Sequence, residues 1–421
     1  MKGRTNNMTQ LEMMGSNAKH AARVLMNAGA KKDEALFAIA KALKENASEI
    51  IKANEADIEN GKAAGLSESL LDRLKLDEGR ILGMAEGVSQ VAAQPDPIGK
   101  VIEGRTLKNG LQIEKITVPM GVIGIIYEAR PNVTSDAAAL CLKAGSAVIL
   151  RGGKEAINSN KAITAVMRDA IESAGLPRDC VALVTDTTRQ SATELMQLSD
   201  YLDVLIPRGG AGLIKSVVAN AKVPVIETGV GNCHVYVDAS ADIQMATDIV
   251  YNAKTSRPSV CNAIETVLVH KDIAPEALPA IKAALDKKNV EIRGCEKTQE
   301  ILGDSVIPAT ENDYAVEFLD YILAVRVVDS LDAALDHIAK YSTGHSECIV
   351  TSDYRSANRF TACVDSAAVY VNASTRFTDG GEFGLGAEIG ISTQKLHARG
   401  PMGLNELTSM KFVIRGDGQI R

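Results

Sequence analysis

Cys261 lies in the sequence context that best suits a nucleophile. It follows the segment TSRPSV, in which Arg257 supplies a nearby cation and Pro258 prevents helix continuation, and it precedes an apolar run. A thiol with its usual pKa of about 8.5 is only a few per cent thiolate at neutral pH, and a neighbouring cation raises that fraction. A small buried structural thiol is the alternative for any cysteine, and it is the interpretation we favour for the other six. Cys261 is therefore the candidate for nucleophilic catalysis.

Glycine and basic residues follow three apolar runs that are predicted to be buried strands. These segments are RGGK (151–154), RGGAG (208–212) and the polar YEARPNVTSD (127–136). In parallel sheets, ligands bind beyond the carboxyl ends of the strands, and phosphates lie near helix N-termini. Two cations beside one glycine pair, Arg151 and Lys154, favour a phosphomonoester such as the 2′-phosphate of NADP. Ordinary strand-to-helix turns would explain the glycines equally well, because the chain has neither GxGxxG nor GxxxxGK[ST].

The sequence gives no support to metal or serine-hydrolase chemistry. The six histidines and seven cysteines form no HExxH or CxxC spacing, so we predict no metal site, and no GxSxG motif occurs. Scattered cysteines in odd number favour a reducing compartment. The N-terminal MKGRTNNMTQ lacks the apolar segment of a secretory signal, and the longest apolar run, Ile116–Ile126, is too short to span a bilayer. We expect a cytoplasmic protein.

The charge and composition exclude several classes of partner. The net charge is −7, from 46 basic and 53 acidic residues mixed along the chain, which disfavours nucleic acid and anionic membranes. Aromatic residues make up 4% and Trp is absent, which also argues against base stacking. The hydrophobic share of 46% is typical of globular proteins. At about 150 residues per domain, the 421 residues predict two to three domains.

Two blocks of strand–helix alternation follow a helical N-terminal region. Residues 9–95 have helical spacing, with Ser67 as an N-cap, and residues 101–118 predict a β-hairpin around Asn109-Gly110. From Pro119, and again from near Pro224, apolar runs alternate with helical patterns, as in parallel α/β sheets. The predicted strands are 121–126, 146–150, 181–185, 203–206, 234–237, 263–269, 290–292, 347–351 and 367–371, with a strand-like tail at 410–414. The pattern predicts two α/β lobes, with the hairpin and tail left over for assembly.

Eight segments in this order resemble one known family. They are YEARPNVT (127–134), LRGGKEA (150–156), PRGGAGLI (207–214), IETGVGNCHVYVD (226–238), NAKTSRPSVCNAIETVLVH (252–270), HSECIVT (345–351), VNASTRFTDGGEFGLGAEIGIST (371–393) and ARGPMGLNEL (398–407). The chain resembles the gamma-glutamyl phosphate reductases of the aldehyde dehydrogenase superfamily from about residue 10 to 415. SRPSVCN and the EFGLGAEIGIST–RGPMGL block are the most specific parts of this resemblance.

The resemblance implies an aldehyde-dehydrogenase-like fold of two Rossmann-like α/β lobes plus a small β oligomerisation element. The implied NADP-binding domain comprises residues 1–100 and 119–225, and the catalytic domain residues 226–402. Residues 101–118 and 403–421 would form the oligomerisation hairpin and tail of a homo-oligomer, dimer or tetramer. The implied reaction converts L-glutamyl 5-phosphate and NADPH to L-glutamate 5-semialdehyde, phosphate and NADP, the second step of proline biosynthesis.

The resemblance also assigns roles to individual residues. Cys261 would attack the acyl phosphate and form a thioester that hydride from NADPH reduces, while Asn132 and the Cys261 N–H would hold the oxyanion. Turn formation at Pro131-Asn132 is the alternative for Asn132. We assign Arg257 to the phosphate on physical grounds, because a guanidinium suits a dianionic leaving group. The residues implied for the cofactor are Arg151 and Lys154 at the adenosine ribose and its phosphate, Gly209 and Gly212 at the pyrophosphate, and Glu317 at the nicotinamide ribose.

Glu227 falls near the glutamate that activates water in hydrolytic aldehyde dehydrogenases. The surrounding motif is altered to Glu-Thr-Gly-Val, and an acyl phosphate reductase needs no water activation. We therefore predict that Glu227 is not an essential base. The partners of the substrate's amino and carboxylate groups stay open among Arg130, Arg376, Asp379 and Glu388.

Two other functions compete with this one. A hydrolytic semialdehyde dehydrogenase is disfavoured by the altered glutamate motif and by SRPSVCN, and phosphate dependence would distinguish it. A catalytically silent NADP-binding scaffold is disfavoured by the intact Cys261, Asn132 and Arg257. The length leaves no room for a fused glutamate kinase domain, so functional coupling to a separate kinase stays open, as does the strictness of NADPH over NADH.

Overall fold

The computed structural model describes residues 8–421, which divide into two compact units. The first comprises the described residues up to Glu227 together with Gly384–Gly390 and Met402–Arg421, and the second comprises Thr228–Phe383 and Ile391–Pro401. The predicted lobe boundary at 225/226 lies two residues before the observed one. The segment 384–390, which we predicted within the catalytic domain, belongs to the first unit. Most of the N-terminal decapeptide lies outside the described residues.

The first unit opens with helices, as the spacing of apolar residues predicts. They are α1 (Gln10–Leu25), α2 (Lys31–Glu45), α3 (Ala47–Ala63), α4 (Glu68–Leu74) and α5 (Glu78–Ala93). Thr9, Ser67 and Asp77 cap three of them through side-chain oxygens that accept backbone N–H groups. The N-cap predicted at Ser67 is therefore confirmed.

The predicted hairpin is present as β1 (Val101–Thr106) and β2 (Gln112–Pro119), which pair antiparallel. Gly110 in the turn has φ +90°, a left-handed conformation that glycine adopts without strain.

A four-stranded parallel sheet forms the core of the first unit. Its strands are β3 (Val122–Tyr127), β4 (Ala147–Arg151), β5 (Val181–Leu183) and β6 (Val204–Arg208), in the order β5-β4-β3-β6. The intervening helices are α6 (Asn132–Lys143), α7 (Ile157–Ser173), α8 (Arg189–Met196) and α9 (Ala211–Asn220). Asp57 of α3 accepts the N–H groups of Asn158 and Ser159 at 3.2 and 2.8 Å. This buried carboxylate fixes the start of α7 just after the loop that carries Arg151 and Lys154.

The second unit contains a seven-stranded parallel sheet in the order β10-β9-β11-β8-β7-β12-β13. Its strands are β7 (Cys233–Val237), β8 (Ile264–His270), β9 (Glu291–Gly294), β10 (Ile307–Pro308), β11 (Ile322–Val328), β12 (Ser346–Val350) and β13 (Ala368–Val371). Its helices are α10 (Ile243–Thr255), α11 (Ala274–Leu285), α12 (Glu296–Leu302), α13 (Leu331–Tyr341) and α14 (Tyr354–Cys363). Our strand assignment missed β11, the third strand in this order, and also β10.

Two short strands of the second unit, β14 (Ile391–Ser392) and β15 (Gly400–Pro401), pair antiparallel in the glycine-rich stretch. The tail strand β16 (Thr408–Arg415) belongs to the first unit and pairs antiparallel with β2, from Thr408 opposite Pro119 to Arg415 opposite Gln112. The sheet order β1-β2-β16 leaves β1 and β16 as edge strands. The predicted hairpin and tail are therefore two parts of one small sheet. No helix of the described residues is long and apolar enough to cross a membrane.

Candidate active site

Cys261 lies on the segment Ser256–Asn262, here called the nucleophile loop, which joins the end of α10 to the start of β8. The loop has turn and bend geometry rather than regular structure, because Pro258 cannot continue the helix. Arg257 is exposed, Cys261 is partly buried and Asn262 is buried. The second unit thus places the predicted nucleophile and the predicted phosphate-binding arginine four positions apart on one short loop.

The backbone of Cys261 packs directly against Gly231. A β-carbon built on Gly231 would lie 1.5 Å from the carbonyl oxygen of Cys261, so only glycine fits this position. The Gly231 N–H donates to Oε1 of Glu317 at 2.9 Å. Glu317, which the resemblance assigns to the nicotinamide ribose, therefore holds the segment that packs against the nucleophile. Glu227 lies at the end of the first unit, where it is partly buried.

Two buried groups lie on the inner side of the nucleophile loop. The Cys233 thiol donates to the carbonyl of Cys261 at 3.1 Å, and its sulfur lies 3.7 Å from Nδ1 of His345. Burial raises the pKa of Cys233 well above its usual value and lowers the pKa of His345 to about 4. Cys233 is therefore a protonated structural thiol at neutral pH, and His345 is a neutral ring. None of the seven cysteines, all of which lie within residues 8–421, forms a disulfide.

A buried ion pair supports the segment that carries Glu317. Lys254 Nζ lies 2.6 Å from Oε2 of Glu265, and both side chains are fully buried. Burial raises the pKa of Glu265 to about 7, and the charge of Lys254 opposes this shift. Oε1 of Glu265 accepts the N–H of Leu319 at 3.2 Å, and Leu319 has φ +56°, which is strained for a leucine. The pair thus fixes a strained backbone two residues beyond Glu317.

Asn132 begins α6 in the first unit and has a carboxylate partner one turn later. Its Nδ2 donates to Oδ2 of Asp136 at 2.9 Å. Burial raises the pKa of Asp136 to about 6, while hydrogen bonds from Asn132 and Ser135 and the charge of Arg208 oppose that shift. Arg208 also lies 3.9 Å from Glu388. The amide of Asn132 is therefore oriented by a partner on its own helix, and its role as an oxyanion donor stays a prediction.

The residues after β4 fit a nucleotide-binding loop. A β-carbon on Gly152 would lie 2.1 Å from Nδ2 of the buried Asn160 and 3.1 Å from the Tyr127 ring, so a side chain at this position would displace buried groups. Arg151 donates to the carbonyls of Thr187 and Thr188 at 2.7 and 2.8 Å, while its buried Nε has no partner among the described residues. Lys154 is exposed at the mouth of this loop. The buried polar atom and the exposed cation suit a phosphorylated ribose.

The glycines after β6 lie at the N-terminus of α9, where backbone N–H groups can receive a phosphate. Gly209 and Gly212 are both exposed, and the space around Gly212 is open. The Gly210 N–H donates to Oε2 of Glu128 at 2.9 Å. The carboxylate of Glu128 therefore already accepts a backbone N–H group at the helix N-terminus, where a pyrophosphate would also accept hydrogen bonds.

Sequence reasoning missed several residues that shape these sites. Asn262 could have been suspected because it directly follows Cys261, and Gly231 because it belongs to the TGVGN run. The contact of Glu128 with the Gly209–Gly210 turn could not be predicted, because it joins the ends of two strands that are distant in sequence. Of the candidates for the amino-acid end of the substrate, Arg130 and Glu388 lie in the first unit, whereas Arg376 and Asp379 lie in the second. Within the described residues, no group of three or more His, Cys, Asp or Glu could hold a metal ion.

Comparison with known proteins gives consistent matches over nearly the whole chain. The model of the aldehyde dehydrogenase family matches residues 4–300. A gamma-glutamyl phosphate reductase of Moorella thermoacetica is 60% identical over 413 residues, covering 98% of this chain and 99% of that protein. One of Clostridium novyi is 61% identical over 407 residues, covering 96% and 97%. The crystal structure of gamma-glutamyl phosphate reductase from Thermotoga maritima matches with a TM-score of 0.96 at 50% identity, covering 98% of this chain and 100% of that one.

The Gly231 contact predicts the effect of adding one methyl group. Gly231→Ala should displace the Cys261 backbone and lower the rate of Cys261 alkylation by iodoacetamide severalfold, because the thiol is moved relative to the cation that Arg257 places on the same loop. Peptide mass spectrometry measures that rate, and a thermal melt reports any loss of folding. Gly83→Ala is the matched control, because Gly83 lies in α5 with open space around it. Alkylation and melting of Gly231→Ala at wild-type values would contradict the contact.

Proposed function

The chain belongs to the aldehyde dehydrogenase family and, within it, to the gamma-glutamyl phosphate reductases, and we propose that it reduces L-glutamyl 5-phosphate with NADPH through a thioester on Cys261. The product is L-glutamate 5-semialdehyde, and the reaction is the second step of proline biosynthesis from glutamate. The observation that carries the thioester mechanism is the placing of Cys261 and Arg257 on one short loop of the second unit.

The first chemical step is an acyl transfer to sulfur. The Cys261 thiolate attacks the acyl carbon, the bond between that carbon and the phosphate oxygen breaks, and phosphate leaves with the electron pair. Arg257 is proposed to bind the phosphate dianion as it leaves, because its guanidinium is exposed and suits phosphate. Asn132 is proposed to donate to the oxyanion together with the Cys261 N–H, and loss of one such donor costs roughly 3 kcal/mol of barrier.

The residues present suit a nicotinamide dinucleotide, and we propose NADP specifically. Arg151 and Lys154 would hold the adenosine ribose and its 2′-phosphate, Gly209 and Gly212 the pyrophosphate, and Glu317 the nicotinamide ribose. The reduced cofactor, when bound, supplies the hydride that converts the thioester to the aldehyde. Glu227 is not required as a base in this scheme, because water must be kept from the thioester.

The small sheet β1-β2-β16 is proposed as the surface that joins subunits in a homo-oligomer. Met410, Phe412 and Ile414 alternate along the edge strand β16 and are 52%, 56% and 59% exposed. Side chains two positions apart point to the same face of a strand, so these three form one apolar strip. An apolar strip on an open edge is typical of an interface. The dimer or tetramer, and coupling to a kinase that supplies the acyl phosphate, are parts of this proposal.

Phosphate dependence tests the proposed reaction. In the reverse direction, reduction of NADP with glutamate semialdehyde should require inorganic phosphate in the wild type and should be abolished in Cys261→Ala. Cys363→Ala is the matched control, because Cys363 is an exposed thiol in α14 of the same unit. Phosphate-independent turnover that yields glutamate would instead indicate a hydrolytic dehydrogenase, and absence of turnover in both conditions would favour the silent scaffold.

The choice of cofactor has its own test at Lys154. Lys154→Ala should raise the KM for NADPH about tenfold, because it removes a charge-assisted contact with the 2′-phosphate, and should leave the KM for NADH unchanged. Steady-state kinetics with both cofactors measure the ratio. Lys161→Ala, at an exposed position of α7, is the control. Equal effects on the KM for NADPH and the KM for NADH would show that Lys154 does not bind the 2′-phosphate.

The oligomer is tested by placing a charge on the apolar strip. Phe412→Asp should lower the molar mass measured by light scattering after size exclusion, because a carboxylate cannot be buried unpaired in an apolar interface. Lys411→Glu, on the opposite face of the same strand, should leave the mass at its wild-type value. An unchanged mass for Phe412→Asp would place the interface elsewhere.

A further inference from the structure

Arg376 contacts both ends of the nucleophile loop. It lies on the short 3₁₀ turn Thr375–Phe377 after β13, in the second unit. Its Nε donates to Oγ of Ser256 at 2.9 Å, and its Nη1 donates to Oδ1 of Asn262. Ser256 and Asn262 are the first and last residues of the loop that carries Arg257 and Cys261. A single guanidinium therefore bridges the two ends of this loop.

Further hydrogen bonds join Asn262, at the end of the loop, to the turn that carries Arg376. Asn262 Nδ2 donates to the carbonyls of Arg376 and Thr378 at 3.3 and 2.9 Å, and the Thr375 hydroxyl donates to the carbonyl of Asn262 at 2.7 Å. Asn262, Thr375 and Thr378 are all buried. These bonds hold the backbone of residues 375–378 against the loop, so the Arg376 side chain starts from a fixed position. Removal of its guanidinium would leave the buried Oδ1 of Asn262 without this donor.

The charges around Arg376 belong to the reacting end of the site. Burial lowers the pKa of Arg376, Asp379 raises it, Arg257 lowers it by repulsion, and Cys261 and Glu382 raise it. Arg257 and Cys261 thus both lie within electrostatic range of Arg376. An anion bound beside the two arginines would relieve their mutual repulsion.

We propose that Arg376 is a positioning residue, which holds the nucleophile loop so that Arg257 and Cys261 act together on the acyl-phosphate end of the substrate. This inference rests on the proposed function for the identity of the substrate. Arg376 was also a candidate for binding the amino-acid end, but its Nε and Nη1 are committed to the loop. A positioning role would affect the KM for phosphate, whereas binding of the amino-acid end would affect the KM for glutamate semialdehyde.

A split of kinetic constants in the reverse reaction tests the proposal. Arg376→Ala should lower kcat and raise the KM for inorganic phosphate by about tenfold to a hundredfold, as expected for loss of charged hydrogen bonds, with the KM for glutamate semialdehyde unchanged. Arg376→Lys keeps the charge but lacks the fork that spans the loop, so it should recover only part of the loss. Asn262→Ala should give the same pattern, and the double variant should lose no more than either single one. A rise confined to the KM for the semialdehyde would overturn the proposal.

A second measurement needs no substrate. The pH midpoint for alkylation of Cys261 by iodoacetamide should move upward in Arg376→Ala, because a cation near the thiol is lost. The charged groups around Arg376 that remain are Arg257, Asp379 and Glu382, and the Cys233 thiol faces the carbonyl of Cys261. Arg359→Ala is the matched control, since Arg359 pairs with Asp332 on the surface of the same unit. If the midpoint moves upward in Arg376→Ala but the wild type shows no phosphate-dependent turnover, the contact between Arg376 and the loop is supported and the proposed reaction is rejected. An unchanged midpoint in a variant that melts at the wild-type temperature would reject the positioning role.

Discussion

The nucleophile loop has little regular hydrogen bonding of its own, and its shape depends on contacts with two other segments of the second unit, 231–233 and 375–378. Gly231 packs against the backbone of Cys261, Cys233 donates to its carbonyl, and Arg376 bridges the loop from end to end. Gly231 and Cys233 both contact the carbonyl of Cys261, whereas Arg376 contacts the two ends of the loop. In the proposed reaction the Cys261 thiol attacks a single carbon, and such a reaction would require this restraint, because small displacements of a nucleophile cost large factors in rate.

The restraint extends from the loop into the buried core. Gly231 is held by Glu317, and the strained backbone at Leu319 is held by Glu265, which pairs with Lys254 at 2.6 Å in the interior. A buried ion pair is weak evidence for stability, because desolvation offsets much of its attraction. Here the pair also holds a backbone in place. Removing Lys254 or Glu265 would release the segment around Leu319, which carries Glu317 and, through Gly231, supports the position of Cys261.

Much of the architecture could be predicted from sequence, because it follows from local periodicity. The helices before residue 95, the hairpin at Asn109-Gly110 and most parallel strands appear within a few residues of their predicted positions. The strand Ile322–Val328 was missed, and Arg326 interrupts its apolar run. Cys261 was predicted as the nucleophile from its loop context and from the resemblance, and that role stays a prediction. The bridging role of Arg376 could not be predicted, because its partners are more than a hundred residues away and no spacing rule relates them.

The central claim is that the substrate becomes covalently attached to Cys261, and direct detection of that adduct is the most immediate measurement. The protein would be mixed with glutamate semialdehyde and NADP without phosphate, quenched in acid, digested and analysed by mass spectrometry. The account predicts a glutamyl group on the peptide that contains Cys261, and its rapid discharge when phosphate is added before the quench. An adduct on another cysteine, no adduct at all, or discharge by water as fast as by phosphate would contradict it.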